Sequence, residues 1–112
     1  MIVTLTLNPS LDRAIEVDRL VRGSMIRTRS ARLDPGGKGV NVSRALLAND
    51  VASRAVVTAG GSDGDQFIHL LEAERIAVRA VRVAGRTRSN VTIVEPQGVM
   101  TKLIEPGGAL SR

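Results

Sequence analysis

The spacing of apolar and polar residues divides the chain into strand-like and helix-like segments. Residues 2–7, IVTLTL, are β-branched or aliphatic and stop at Asn8-Pro9, where proline lacks the N–H that a sheet requires, so they predict a buried strand. Residues 14–21 and 24–33 alternate apolar or small residues with charged ones. This alternation predicts two strands with one face in water, and Gly23 predicts the turn between them.

The middle of the chain predicts two helices that flank a second buried strand. Apolar residues recur at spacings of three and four over residues 40–48, which is typical of a helix, and residues 53–59, SRAVVTA, predict the strand. Residues 63–75 predict the second helix, with one apolar face that carries Phe67, Leu70 and Leu71. The pair formed by Asp63 and Gln66 is typical of a capping box at its start.

Three further strand-like stretches follow, at residues 76–85, 87–95 and 99–105. Gly85 separates the first two, and Pro96-Gln97-Gly98 separates the last two, which predict a hairpin. Helices that follow strands across glycine-rich turns are typical of an α/β fold, whose ligands collect at those turns. No internal repeat or linker divides the chain, so the pattern predicts one α/β unit with a β-rich appendage.

Composition narrows the classes of site that the chain can hold. A length of 112 residues with 43% apolar content suits one modest domain with a core. The absence of cysteine excludes disulfides and thiolate metal sites, and a single histidine excludes a histidine cluster. The apolar run at the N-terminus is too short for a signal peptide or a membrane span, so we expect a cytoplasmic protein without a membrane partner.

The net charge of +5 favours an anionic partner. Only Lys38 and Lys102 are lysines, and the arginines are scattered along the sequence rather than clustered. Phe67 is the only aromatic residue, so a surface on which nucleic-acid bases could stack is missing. We therefore expect no nucleic-acid partner. The positive charge then serves either to bind a small anionic ligand or only to keep the surface solvated.

A glycine-rich stretch precedes the first helix, within residues 33–47, LDPGGKGVNVSRALL. Its three glycines expose the backbone N–H groups at a helix start to an oxygen-rich ligand, and Lys38 adds a positive charge. Asn41, one turn into the helix, offers both a donor and an acceptor to a hydroxyl-rich ligand. A tight turn with a solvated lysine is the alternative interpretation.

Two nucleotide-binding fingerprints do not fit this stretch. A Walker A loop requires serine or threonine after the lysine, whereas Gly39 follows Lys38. The pattern Gly-x-Gly-x-x-Gly fails because Val42 occupies its last place.

Four collinear motifs resemble those of the ribokinase-like sugar kinases of the PfkB family, with the 1-phosphofructokinase and tagatose-6-phosphate kinase branch as the nearest match. The motifs are TLNPSLDR, PGGKGVNVSRAL, AGGSDGDQF, and GRTRSNVTIVEPQG leading to TKLIEPGG. The resemblance implies a ribokinase-like three-layer α/β/α sheet with a small β lid. The core would take about residues 1–12 and 34–84, the lid strands about 13–33 and 86–105, and the nucleotide-binding C-terminal half would lie outside residues 1–112.

The resemblance also implies the residues of a substrate site. Asp12 would accept hydrogen bonds from sugar hydroxyls, and Arg88, in a threonine-arginine pair of the lid, would contact the sugar phosphate. The floor of the pocket would be formed by Gly36, Gly37, Lys38 and Asn41. Arg27 is a weaker candidate for a second phosphate contact. The alternatives are that Asp12 only caps a turn and that Arg88 is a surface arginine.

The implied reaction is the ATP-dependent phosphorylation of fructose 1-phosphate to fructose 1,6-bisphosphate, with Mg²⁺ bridging the nucleotide phosphates. Tagatose 6-phosphate and fructose 6-phosphate are the alternative acceptors. The family's Gly-x-Gly-Asp motif, which carries the catalytic base, is not matched, because SDGD has Ser62 in its first place. We therefore assign no catalytic residue, Asp65 included, and expect residues 1–112 alone to be inactive or to form a non-catalytic sugar-phosphate-binding fragment.

The sequence departs from the family pattern after the first helix and near the end of the last motif. Asn49-Asp50 replaces the usual glycine after the first helix and predicts a left-handed cap there. Ile104 stands before Glu105-Pro106-Gly107 where asparagine is common, which weakens the choice of branch. In the family the lid strands pair between subunits, so we expect a homodimer; half of a sheet alone would be marginally stable or would associate.

Overall fold

The computed structural model of the protein describes residues 1–107, which form two β-sheets and two α-helices. The α/β prediction is confirmed. Residues 108–112, which include the last glycine of TKLIEPGG, lie outside the described residues. The elements are β1 (Ile2–Thr6), β2 (Ser10–Glu16), β3 (Ser30–Gly36), α1 (Lys38–Ala48), β4 (Ser53–Ala59), α2 (Gly61–Ala73), β5 (Val78–Arg82), β6 (Arg88–Val94) and β7 (Met100–Ile104).

The core lies between the two helices and one face of a parallel sheet in the order β1-β4-β5. Val40 of α1 packs with Phe67 and Leu71 of α2 in one cluster, and all three are fully buried. Ala55 and Val57, two residues apart on β4, join the same cluster. Because alternate residues of a strand face the same side, both helices cover one face of this sheet. The predicted apolar face of the second helix is therefore confirmed.

The opposite face of the parallel sheet is open within residues 1–107. Val3, Leu5 and Val81 lie on it and are 59%, 60% and 50% exposed. The described part of the chain thus supplies the sheet and the helical layer on one side of it. None of the helices within residues 1–107 combines the length and the apolar character that a membrane crossing needs.

The second sheet has the order β3-β2-β6-β7 and forms the lid. β2 pairs antiparallel with β3 and parallel with β6, and β6 and β7 form the predicted hairpin across a 3₁₀ turn at Pro96–Gly98. Leu11 of β2 is 2% exposed and belongs to the core cluster, which attaches this sheet to the helices. Asp12, the next residue, faces the other side of the lid sheet.

The bounds predicted for the two light strands, 14–21 and 24–33, are wrong. The strands lie at residues 10–16 and 30–36, and residues 17–29 form an irregular connection with Gly23 in a turn at φ 78°. Only three residues, Leu7 to Pro9, separate β1 from β2, so the chain enters the second sheet already at Ser10. β2 ends at Glu16 because that residue pairs with Val94, where β6 also ends, and residues 17–29 pair with no strand of the described chain.

The helix ends confirm one cap and correct another. Asp50 follows α1 with φ 58°, as the Asn49-Asp50 pair predicts. The capping box of Asp63 and Gln66 is wrong, because α2 begins at Gly61 with Gly60 as an extended N-cap and with no side-chain cap. The carboxylate of Asp63 instead accepts a hydrogen bond from Arg86 Nη1 at 3.0 Å.

Candidate functional site

A cavity of about 450 Å³ lies where the parallel sheet, the start of α1 and the lid sheet meet. It brings together five of the predicted site residues, which come from β2, the glycine turn, α1 and β6. These are Asp12, Gly37, Lys38, Asn41 and Arg88. A second cavity of about 600 Å³ adjoins it and shares Asp12 and Asn41.

The glycine turn lets the start of α1 approach β1 closely. Gly37 is the N-cap of α1 with φ 136°, and a Cβ on it would lie 2.6 Å from Cγ2 of Thr6. A Cβ on Gly39 would collide with the Thr6 hydroxyl. The first intrahelical bond runs from the N–H of Asn41 to the carbonyl of Gly37, so the preceding N–H groups of the first turn have no intrahelical partner. This end of the helix attracts anions through those groups and through the helix dipole.

Asp12 is held at the cavity wall by two side chains. Its Oδ1 accepts hydrogen bonds from the hydroxyl of Ser10 at 2.8 Å and from the amide of Asn90 at 3.2 Å. Gly36 lies opposite Ser10 on β3, and any Cβ on it would overlap the Asp12 carboxylate. Both bonds fall on Oδ1, whereas Oδ2 makes no hydrogen bond within residues 1–107 and lies against Gly36. Gly36 itself is buried and supports Asp12 rather than lining the cavity.

Arg88, the first residue of β6, presents an incompletely satisfied guanidinium to the cavity. Its Nη1 and Nη2 donate to the carbonyls of Glu105 and Asn8 at 3.3 Å, which are long hydrogen bonds. Its Nε is buried and has no hydrogen-bond partner within residues 1–107. A buried N–H without a partner is costly, so the guanidinium of Arg88 keeps unsatisfied hydrogen-bonding capacity. Thr87 anchors the start of this strand, since its buried hydroxyl accepts from the N–H of Gly60 at 3.1 Å.

Glu105 fixes the part of the lid behind Arg88. Its carboxylate accepts from the N–H of Ser89 at 2.7 Å and from Arg86 Nη2 at 2.6 Å, and its own N–H donates to Asn90 Oδ1 at 3.2 Å. The N–H of Ser89, and after it the guanidinium of Arg86, lower the pKa of Glu105 below its ordinary value of 4.5. Because Asn90 also donates to Asp12, Glu105 is linked through Asn90 to the Asp12 carboxylate.

The remaining predicted residues lie in different surroundings. Lys38 is exposed at the rim of the cavity. Arg27 is exposed in the irregular connection between β2 and β3, and it is not among the residues that line the cavity. Asp65 on α2, for which we predict no catalytic role, forms an exposed ion pair with Arg82 on β5. The distance from Arg82 Nη1 to Asp65 Oδ1 is 2.6 Å. The roles of all these side chains toward a ligand stay predictions.

Sequence reasoning missed four polar residues that line the cavity. Asn8 and Ser10 flank Asp12 in the first motif, and Asn90 lies two residues after Arg88, so that strand alternation places both on one face. Thr6 is 5% exposed, and its hydroxyl has no partner within the described part of the chain. In the strand that begins Arg88-Ser89-Asn90, the alternation of side chains places Asn90 on the same face as Arg88, so the sequence does indicate Asn90. A threonine inside a buried strand carries no such signal.

The described residues do not fit a metal centre. Within residues 1–107 no three acidic, histidine or cysteine side chains come together in a way that could hold a metal ion. The residues that line the cavity offer hydrogen-bond donors, the carboxylate of Asp12 and the cations of Lys38 and Arg88. These groups suit a ligand that carries hydroxyls and an anionic group.

Comparisons with known proteins agree with this chemistry. Residues 5–111 match the model of the pfkB family carbohydrate kinases. The ATP-dependent 6-phosphofructokinase isozyme 2 of Escherichia coli (strain K12) is 35% identical over 111 residues, which are 98% of this chain and 36% of that protein. The 1-phosphofructokinase of Bacillus subtilis (strain 168) is 40% identical over 93 residues, which are 83% of this chain and 31% of that protein.

A solved structure gives the same result for the fold. The crystal structure of phosphofructokinase-2 from Escherichia coli in complex with fructose-6-phosphate matches with a TM-score of 0.90 at 34% identity, over 97% of this chain and 36% of that chain. The likeness confirms the predicted ribokinase-like fold. The chain spans about a third of the length of these relatives.

Proposed function

Because the chain belongs to the PfkB family of carbohydrate kinases, we propose that it binds the acceptor in the ATP-dependent phosphorylation of fructose 1-phosphate to fructose 1,6-bisphosphate. The observation that carries the proposal is the convergence of the glycine turn, Asp12, Asn41 and Arg88 on one cavity of about 450 Å³. Tagatose 6-phosphate and fructose 6-phosphate are the competing acceptors, since both 1-phosphofructokinases and a 6-phosphofructokinase are among the relatives.

The chemistry of the cavity supports a phosphorylated sugar. A carboxylate such as Asp12 accepts hydrogen bonds from sugar hydroxyls, and the free N–H groups at the start of α1 donate to sugar or phosphate oxygens. Arg88, which lines the cavity, supplies a charge-assisted contact to a phosphate. The binding energy of the phosphate would hold the acceptor hydroxyl in place for transfer.

The proposal assigns acceptor binding, and no proton transfer, to the described residues. In-line phosphoryl transfer needs a base beside the acceptor hydroxyl and a bound phosphoryl donor. In the proposal ATP and its Mg²⁺ are bound mainly by residues outside 1–107, since the described part of the chain has no cluster suited to the metal. For residues 1–112 alone we therefore propose sugar-phosphate binding without turnover.

The test is acceptor-dependent ADP release by the complete protein that carries this sequence. Fructose 1-phosphate, fructose 6-phosphate and tagatose 6-phosphate are compared at equal concentrations, and fructose 1-phosphate is expected to give the highest kcat/KM. Asp12→Ala is expected to lower kcat/KM by about tenfold or more, because the hydroxyl acceptor is lost. Asp18→Ala, whose carboxylate is 82% exposed and pairs with Arg29, is the matched control and should leave the value unchanged.

Two outcomes of this experiment would change the proposal. A higher kcat/KM with another acceptor would replace fructose 1-phosphate in the proposal. An unchanged kcat/KM in Asp12→Ala would refute the role of that residue. Calorimetry on residues 1–112 with fructose 1-phosphate, which should show binding without ADP release, tests the non-catalytic activity separately.

We also propose that the lid strands pair between two copies in a homodimer. β3 and β7 are the edges of the lid sheet, and β7 exposes an apolar set: Met100 (57%), Leu103 (58%) and Ile104 (66%). Exposed apolar edges of this kind favour pairing with another chain. Sedimentation equilibrium should give a dimer, and a monomer at all concentrations would contradict the proposal.

A further inference from the structure

Arg44 of α1 forms hydrogen bonds to three different parts of the molecule. Its Nε and Nη2 donate to the two carboxylate oxygens of Glu74, just after α2, at 2.7 and 3.0 Å. Nη2 also donates to the carbonyl of Pro35 at 2.9 Å, and Nη1 donates to Oδ1 of Asn41 at 2.8 Å. The ion pair is partly buried, with side chains 37% and 35% exposed.

The contact with Asn41 determines how that amide faces the cavity. A guanidinium has donors only, so the amide must turn its oxygen toward Arg44. Its NH₂ group is then the part left for a ligand. In this orientation Asn41 is a hydrogen-bond donor, which suits a phosphate oxygen or the lone pair of a sugar oxygen. An amide free to rotate would present either end.

We propose that Arg44 is a positioning residue of the acceptor site, held by Glu74 and Pro35, and that it fixes Asn41 as a hydrogen-bond donor toward the sugar phosphate. Because this role rests on the proposed function, Arg44 is assigned no contact with the substrate. Both contacts that hold the guanidinium come from outside its own helix, from β3 and from the residue after α2, so its position is set by the packing of three elements.

Lysine could not take over this role. Its ammonium is a single charged point, whereas the planar guanidinium directs donors to the carboxylate, the carbonyl and the amide at fixed angles. Arg44→Lys keeps the charge and loses that geometry. We therefore expect Arg44→Lys to raise the KM for fructose 1-phosphate by about tenfold in the complete protein, while the KM for ATP changes by less than about twofold.

A double-mutant cycle separates positioning from a general structural role. If Arg44 acts through Asn41, then Arg44→Lys should have less than about a twofold further effect on KM in an Asn41→Ala background. Arg82→Lys is the matched control, because Arg82 forms a comparable ion pair with Asp65 at 2.6 Å and does not line the cavity. The proposal would be overturned if Arg44→Lys and Asn41→Ala raised the KM for fructose 1-phosphate by factors that simply multiply in the double variant. An unchanged KM in Arg44→Lys would overturn it as well.

A ligand-free measurement distinguishes failure of this proposal from failure of the proposed function. The side-chain ¹⁵N order parameter of Asn41 should be high in the wild-type chain and should fall in Arg44→Lys, with Arg82→Lys unchanged. Equal mobility in all three proteins would refute the positioning role even if the kinase activity is established. An ordered Asn41 amide in a protein that binds none of the three sugar phosphates would instead refute the proposed function and, with it, the assigned ligand of Asn41.

Discussion

Gly37 carries both a conformational and a steric requirement of the site. Its φ of 136° is unfavourable for other residues, and a Cβ would press on Thr6. We expect Gly37→Ala to lower the affinity for fructose 1-phosphate by about tenfold or more, because the turn that presents the first N–H groups of α1 must move. Calorimetry measures the affinity, and urea unfolding measures the change in stability.

Gly23 is the matched control for that variant. It also has a positive φ, of 78°, but a Cβ there would meet nothing within 4 Å. Gly23→Ala therefore carries the backbone strain alone, about 1–2 kcal/mol, and should bind the sugar phosphate normally. Equal affinity losses in the two variants would mean that backbone strain, and not the turn beside Thr6, controls binding.

Glu105 gives the lid a defined response to acid. Since the pKa of its carboxyl is lowered in the folded protein, Glu105 contributes stability above its ordinary value of 4.5, and this contribution is lost as the pH falls below 4.5 and the folded protein takes up the proton. We expect the stability advantage of wild type over Glu105→Gln, measured by urea unfolding, to be constant above about pH 6 and to shrink below pH 4.5.

The exposed Glu72 of α2 supplies the control for this measurement. Glu72→Gln removes one carboxylate of the same kind at a position with no role in the lid. An advantage of wild type over Glu105→Gln that does not change between pH 6 and pH 3 would contradict the account of Glu105.

At the scale of elements, α2 holds the parallel sheet and the lid together. Leu71 is fully buried in the cluster that also contains Leu11 of the lid. Leu71→Ala should lower the free energy of unfolding by about 2–5 kcal/mol through lost burial and the cavity left behind. Leu47→Ala on α1, where the side chain is 41% exposed, should cost much less, and similar losses in urea unfolding would contradict this view of the core.

The elements themselves follow from local patterns, whereas their pairing does not. The period of the apolar residues predicts the helices, β1, β4 and the final hairpin. The predicted burial of β1 is wrong within residues 1–107, because Val3 and Leu5 are 59% and 60% exposed. The bounds of β2 and β3 depend on pairing between distant segments, since Ser10 lies beside Arg88 in one direction and beside Gly36 in the other. The capping box fails for a related reason, because Arg86, from outside α2, takes the Asp63 carboxylate.

The sequence reveals the site residues that stand in motifs and misses those that only the fold brings to the site. Asp12, the glycines, Asn41 and Arg88 stand in motifs that can be matched residue by residue. Thr6 and Asn90 act through contacts between strands, with the glycine turn and with Asp12, and neither contact has a local pattern. Arg44 is one more arginine in the sequence, and only the fold brings it to Pro35 and Glu74.

At the scale of the whole molecule, the cavity depends on the docking of two sheets. The parallel sheet supplies Thr6, and the lid sheet supplies Asp12 and Arg88. The glycine turn joins β3 of the lid sheet to α1, which packs on the parallel sheet. The net charge of +5 favours the approach of an anion to this junction. The central claim is therefore that one phosphorylated sugar contacts the glycine turn at the start of α1 and Arg88 of the lid sheet at once.

Amide NMR during titration with fructose 1-phosphate tests that claim most directly. The account predicts saturable shifts of the backbone N–H groups of Gly37, Lys38 and Gly39 and of the Arg88 Nε–H, with one common dissociation constant, and no such shifts with unphosphorylated fructose at equal concentration. Gly23 should not respond. Unchanged resonances at both the glycine turn and Arg88, or shifts confined to only one of these two places, would contradict the account.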